Sequence, residues 1–312
     1  MFSLAYFEIS GVCNACCPWC QAGASERPDK DAFIPVKLFA EAIEYMLRHA
    51  IIGHETQVGL YNWGEPFLHP QLKEITTILS LADVQFGLST NASVLTTFDE
   101  PDALRNLQRL SFSMCGFSQA SYDRIQGLGF EAAKRNIATM IANFRDHGFR
   151  EEAQLAFHVY RFNQREIGPA REFCEQYGIV FRPYYALLDG RDMMIEYLTN
   201  AMPPEQMTRA TEDLELGYVP ELVAQMPGGY VCPQYSRLTI DERCAVRTCC
   251  LTRPYDPERL GYLFDMTCDQ INAARRQPGC EQCLKSGAAY WIHEASLHIA
   301  VHHRGTESTE GG

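Results

Sequence analysis

Cys13, Cys17 and Cys20 fall within Cys-Asn-Ala-Cys-Cys-Pro-Trp-Cys, directly after the apolar run Leu4 to Ile9. Three thiolates at Cys-x3-Cys-x2-Cys spacing on one short loop can hold three irons of a [4Fe–4S] cube. Too few cysteines lie there for four-cysteine ligation, which leaves one iron open to a ligand that is not protein. An open iron is a place for chemistry. The competing use is structural zinc, but zinc is usually gripped by two paired Cys-x2-Cys or Cys/His knuckles. This loop offers three spaced cysteines, with Cys16 spare.

A loop of this kind needs a scaffold to aim it. Apolar runs that read as strands are Leu4–Ile9, Gln57–Tyr61, Val84–Leu88, Leu110–Met114, Gln154–Tyr160 and Ile179–Tyr184. Amphipathic stretches between them read as helices over Val36–Arg48, Gln71–Leu81, Pro101–Leu107, Glu131–Asp146 and Gln164–Tyr177. This β–α alternation implies a parallel sheet with right-handed crossovers. Six units fall short of the eight of a closed barrel. The expected class is α/β, with a partial, open (β/α)6 barrel over residues 1–203. Ligands then belong at the carboxyl ends of the strands, where the cysteine loop also falls.

After Tyr185 the pattern changes. Met202-Pro203-Pro204 breaks the chain and Glu205–Leu216 reads as a linking helix. A cysteine-rich segment with a hairpin pattern follows, Arg237–Ile240 then Ala245–Thr248, making residues 204–301 a second domain. Residues 302–312 form a polar tail. Cys232, Cys249, Cys250, Cys280 and Cys283 are the second constellation, with Cys280-Glu-Gln-Cys283 as a metal knuckle. Zinc would be served as well as iron by such a set. Cys249 and Cys250 are neighbours on an expected strand, so their side chains point to opposite faces. The expectation is Cys250 as metal ligand and Cys249 as a free, catalytic thiol, with Cys115 as its rival. Cys16, Cys174, Cys244 and Cys268 read as small buried filler.

Thirteen cysteines exceed what an ordinary core needs. No basic n-region of a signal peptide is seen in Met1-Phe2-Ser3, and no apolar run approaches membrane-spanning length. Metal-bound cysteines in a reduced cytoplasm are the simplest account. The net charge of −12 disfavours nucleic acid and suits a cationic or neutral substrate.

The cluster loop, with Trp19 just before its last cysteine, resembles that of the radical S-adenosylmethionine (SAM) enzymes. The resemblance implies a [4Fe–4S] cluster whose open iron is chelated by SAM, and release of a 5′-deoxyadenosyl radical. Asn62-Trp63-Gly64-Glu65-Pro66 is similar to the family's Gly-Gly-Glu-Pro turn, with Trp63 in place of the first glycine. In the family this turn meets the SAM amino group, which implies that role for Gly64, Glu65 and Pro66. Ser89 and Asn91 at the third strand, Ser113 at the fourth and Arg161 after the fifth are the implied polar contacts to SAM. Arg161 would pair with its carboxylate.

The C-terminal cysteines resemble the SPASM/twitch extension of the same family, in its shorter twitch form. This implies a second, auxiliary [4Fe–4S] cluster on Cys232, Cys250, Cys280 and Cys283. Cys244 replaces a glycine of that pattern. An electron donor such as flavodoxin or ferredoxin is implied as partner. The first strand begins at residue 4, which leaves no N-terminal peptide-recognition domain and tilts the substrate towards a small molecule. Within the family the chain is similar to enzymes that tailor aminoglycoside antibiotics, with a polycationic substrate. Epimerase action by hydrogen return from a thiol is the first expectation, dehydrogenase action the second. A non-catalytic iron–sulfur or zinc module is the alternative of another class. Glu8, Asp189 and Asp192 are the expected ammonium contacts.

Overall fold

A computed structural model describes residues 1–24, 32–188, 190–252 and 259–295. The polar tail and Asp189 lie outside the described residues. Strands β1 (Leu4–Phe7), β2 (Gln57–Gly59), β3 (Phe86–Thr90), β4 (Leu107–Met114), β5 (Ala153–Val159) and β6 (Val180–Tyr185) are parallel neighbours in sequence order. The other edge of β1 receives β7 (Arg237–Ile240), also parallel, then β8 (Ala245–Arg247) and β9 (Arg259–Tyr262), both antiparallel. Among the described residues the order is β6-β5-β4-β3-β2-β1-β7-β8-β9, an open sheet of nine strands. The partial barrel expected from the β–α alternation is what forms. The C-terminal cysteine segment continues the same sheet rather than standing apart from it.

Each inner strand divides its side chains by parity, because successive residues face opposite sides. On β4, Leu110, Phe112 and Met114 join the core against the helices. Arg109, Ser111 and Ser113 face a concave lumen instead. Helix Val36–Arg48 buries Phe39, Ala42, Ile43 and Met46, one stripe at helical spacing. Helix Phe130–Asp146 does the same with Ala133, Ile137, Met140, Ile141 and Phe144. Among the described residues no helix is long and apolar enough to cross a membrane.

Two expectations are corrected. Residues 101–106 form a run of turns, not a helix, and Leu107 already opens β4. Asp102 sits at φ 57°, a left-handed conformation that interrupts helical geometry, and Leu104 N–H bonds to His147 O at 2.9 Å. The filler reading holds for Cys174 and Cys244, which are buried, while Cys16 is exposed and Cys268 half-buried.

The β7–β8 hairpin lies between Cys232 and the Cys249–Cys250 pair, and Asp241 holds its turn. This buried carboxylate accepts from Arg243 N at 3.0 Å and Ala245 N at 2.8 Å through Oδ1. Its Oδ2 pairs with Arg247, whose Nη2 lies at 2.7 Å. Cys244 occupies a left-handed position at φ 59°, a conformation glycine adopts most freely. Asp241→Ala removes one partner of a buried ion pair and two amide acceptors. It is expected to lower the unfolding free energy by about 3–5 kcal/mol in urea titration. A loss below about 1 kcal/mol, the ordinary range for an exposed pair, would show the hairpin is held otherwise.

Candidate active site

Three strand ends are knitted together at one rim of the sheet. A Cβ on Gly64 would lie 1.6 Å from Ser10 O and 2.9 Å from Val12 O, so the turn after β2 presses its backbone on the cysteine loop. Only glycine permits that approach. Glu65 N donates to Val12 O at 2.7 Å. Beneath the turn, Glu8 Oε1 accepts from Trp63 N at 2.9 Å and Gly64 N at 2.6 Å. Above it, Glu65 accepts from Phe67 N at 3.0 Å and, with its other oxygen, from Asn91 N at 2.7 Å. Asn91 Nδ2 donates to Asn14 Oδ1 at 3.0 Å and approaches Cys13 Sγ at 4.0 Å.

Glu8 is therefore not an ammonium contact: it is buried and serves two amides of the turn. Asp192 is half-buried and pairs with Arg191 Nε at 3.1 Å beside the second cysteine group. Asp189 lies outside the described residues. Arg161 is exposed, with its backbone N–H on Asp213 O, and lines neither cavity described below.

Two adjoining cavities fill the concave side. One, about 340 Å³, is lined by Cys17, Trp19, Cys20, Ser113, Cys115, His158, Tyr160 and Tyr184. Trp19 is buried and pinned through Nε1 to Asp213 Oδ2 at 3.1 Å. The other, about 440 Å³, runs down the lumen past Ser89, Ser111, Ser113 and Tyr61 to Arg109, Gln154 and Arg182. The charged residues of its described lining are arginines.

A relay at the mouth was not read from the sequence. Cys115 Sγ lies 2.9 Å from His158 Nδ1, and His158 Nε2 hydrogen-bonds Tyr184 OH. Buried Asn163 holds the pair, its Nδ2 donating to Cys115 O at 2.9 Å and His158 O at 3.0 Å. The signal that would have found His158 and Tyr184 is parity: they follow Ala156 and Arg182 by two residues on lumen-facing strands.

Cys232, Cys249, Cys280 and Cys283 line a third, small cavity together with Arg191, Tyr235 and His293. Of the neighbouring pair, Cys249, expected as the free thiol, is the member that lines this cavity. β8 ends at Arg247, so the pair lies on the turn beyond it and strand alternation does not govern its side chains. Cys249 enters the cavity with the Leu251 N–H facing its sulfur. Cys250 stays outside that lining, electrostatically close to Tyr6 and Tyr61. Burial pushes the Cys249 thiol up to about 11 and that of Cys283 to about 12. Metal entry must therefore displace protons. Among the described residues no three His, Cys, Asp or Glu side chains converge tightly enough for one metal ion.

Trp63 connects the two regions. Its Nε1 donates at 2.9 Å to Thr252 O, and Thr252 Oγ1 in turn donates to Cys249 O at 2.8 Å.

The sequence matches the Radical SAM superfamily over residues 7–174, more than half of its length. The chain belongs to the Radical SAM superfamily. A radical SAM enzyme binds SAM and carries an iron–sulfur cluster, and Cys13, Cys17 and Cys20, of which the last two line the mouth cavity, have the thiol chemistry of that cluster's donor set. The non-catalytic module is thereby set aside. The fold is similar to Streptococcus suis SuiB bound to precursor peptide SuiA, with TM-score 0.59 and 14% identity. That likeness covers 89% of this chain and 65% of SuiB, so the chain spans somewhat under two thirds of that relative. Native anSMEcpe with bound AdoMet gives TM-score 0.57 at 14% identity, covering 89% of this chain and 82% of that one. BtrN in complex with AdoMet and 2-DOIA gives 0.50 at 13%, covering 95% and 91%. A comparison with curated proteins gives no match.

Within this radical SAM site, burial pushes the Glu65 carboxyl up to about 7, against the N–H groups of Asn91 and Phe67 and the Thr90 side chain. The folded state thus favours the protonated form. Glu65 contributes stability that is full below about pH 4.5 and is lost as pH rises through about 7. Glu65→Gln removes that dependence. Between pH 5.5 and 8 the unfolding free energy of the variant should gain on wild type, by about 2 kcal/mol at most. Urea unfolding of the metal-free protein checks it. A difference that stays flat with pH would refute the raised carboxyl.

Proposed function

We propose that the chain is a radical SAM epimerase that inverts a carbon stereocentre of an aminoglycoside, of the neomycin C to neomycin B type. A thiol of the Cys249–Cys250 pair returns the hydrogen atom. The observation that carries this reading is the link from Trp63 through Thr252 O to Cys249 O, which sets two adjacent thiols beside the SAM turn. SAM and its cluster, when bound and reduced, supply a radical that takes a hydrogen atom from a substrate carbon. The chain's part is to quench that carbon from the other face. One S–H bond breaks, one C–H bond forms, and a thiyl radical remains, which needs one electron and one proton to become a thiol again. The electron is drawn from an auxiliary [4Fe–4S] cluster on Cys232, Cys280, Cys283 and the other member of the pair, refilled by a flavodoxin- or ferredoxin-type donor. Zinc on the same four thiols is the competing occupant.

A substrate of several ammonium groups accords with the net charge of −12. Arg109 and Arg182 face the lumen, so those groups belong at the mouth rather than deep in the sheet's hollow. The Cys115–His158–Tyr184 relay favours a second reading. In a dehydrogenase, His158 would accept the hydroxyl proton of a carbinol radical while the electron leaves to the auxiliary cluster.

Turnover of candidate aminoglycosides in deuterated water separates the two. One solvent deuterium at an inverted carbon marks epimerisation, and a loss of two mass units marks oxidation. The single variants Cys249→Ala and Cys250→Ala then divide the pair. Reconstituted wild type should hold about eight irons, as two four-iron clusters require. The donor's variant should keep them, still form 5′-deoxyadenosine and give no inverted product, while the ligand's variant should lose roughly half of its iron. Side-chain placement supports Cys250 as donor, and iron retention in Cys249→Ala would return that role to Cys249. Full epimerisation in both variants would overturn the pair and point to Cys115.

A further inference from the structure

Arg275 follows helix Cys268–Ala274 and is 1% exposed. Its Nη1 donates to Gln234 O and Tyr235 O, both at 2.9 Å. The guanidinium lies 5.0 Å from the Phe2 ring centroid. Its Nε and Nη2 are buried without a hydrogen-bond partner. Burial works against its charge, while Cys249, first, then Cys280, Cys232 and Cys250 lie close enough to favour it electrostatically. Arg191, which lines the cavity of Cys232, Cys249, Cys280 and Cys283, differs, because Asp192 pairs with it.

A guanidinium does not lose its proton in a protein, and burying it without a counter-charge costs several kcal/mol at least. Two N–H donors left unpaired add to that cost. An anion facing those donors would offset both costs at once. Four thiolates around a metal centre are such an anion, and sulfur accepts N–H donors.

We infer that Arg275 compensates the charge of the auxiliary [4Fe–4S] centre, aims its two unpaired N–H donors at that centre's sulfurs, and thereby raises its reduction potential. This rests on the auxiliary-cluster reading above. Accepting an electron makes the centre more anionic, so a fixed neighbouring cation stabilises the reduced state more than the oxidised one. Hydrogen bonds to cluster sulfur and local charge are the levers that move such potentials. Gln234 and Tyr235 flank Cys232 closely, so their bonds to Arg275 also fix the guanidinium relative to the first ligand of the set.

The test uses full-length protein in a Cys13→Ala, Cys17→Ala, Cys20→Ala background, where the remaining iron is auxiliary. Metal content comes first, then a redox titration followed by electron paramagnetic resonance. Arg275→Gln should keep its iron and shift the midpoint negative by the equivalent of at least tenfold in the reduction equilibrium, about 59 mV for one electron. Arg275→Lys keeps the charge without the fork of donors and should shift less. An unchanged midpoint in Arg275→Gln with full iron overturns the inference alone. Zinc, or no metal, in the Arg275-containing protein overturns the auxiliary-cluster reading instead. If Arg275→Gln sheds its iron, retention in Arg275→Lys supports the charge role and loss from both overturns it.

Discussion

The close contact between the Gly64 backbone and the Ser10 carbonyl is the constraint on which the site is built. It brings the turn after β2 against the cysteine loop after β1 with no side chain between them. Once that contact is fixed, four amides of the neighbourhood need acceptors out of reach of water. Glu8 takes those of Trp63 and Gly64, and Glu65 takes those of Phe67 and Asn91. Two buried carboxylates are thus spent on holding backbone, an arrangement expected where an orphaned amide would be costly. The residues that touch chemistry are aimed by residues that do not.

Polarity on the concave side follows from strand parity rather than from overall charge. A chain with net charge −12 nonetheless points Arg109 and Arg182 into its lumen. Net charge governs the far field around the molecule, whereas a bound ligand meets the few side chains that a strand's alternation turns inward. Glu8 illustrates the gap, since a carboxylate expected to meet an ammonium is instead an internal acceptor of two backbone amides.

Much of the fold was legible because it depends on local periodicity. The expected starts and ends of β1, β5 and β6 and of helix Val36–Arg48 fall within two residues of the observed ones, since apolar runs and stripes report directly on strands and faces. The crossover before β4 was misread because a single left-handed residue, Asp102, outweighs the helical propensity around it. The cysteine loop and the Gly-Glu-Pro turn were legible because their spacing is their chemistry. Arg275 and the Cys115–His158–Tyr184 relay were not, since each is assembled from segments far apart in the chain. The side-chain directions of Cys249 and Cys250 escape a strand rule because the strand stops at Arg247.

Trp63 stands where the resembling motif has glycine, and its indole spans the interval to Thr252. The separation between the SAM turn and the auxiliary cysteines is therefore set by the length of one rigid side chain. That makes Trp63 a gauge block. Hydrogen transfer between a fixed thiol and a fixed carbon tolerates little error, a misplacement of about 1 Å costing roughly a hundredfold in rate. A flexible spacer would let the two turns breathe independently, whereas an indole with one directed donor holds them to a single spacing. Changing the ring would leave both groups of cysteines in place yet alter the spacing between them.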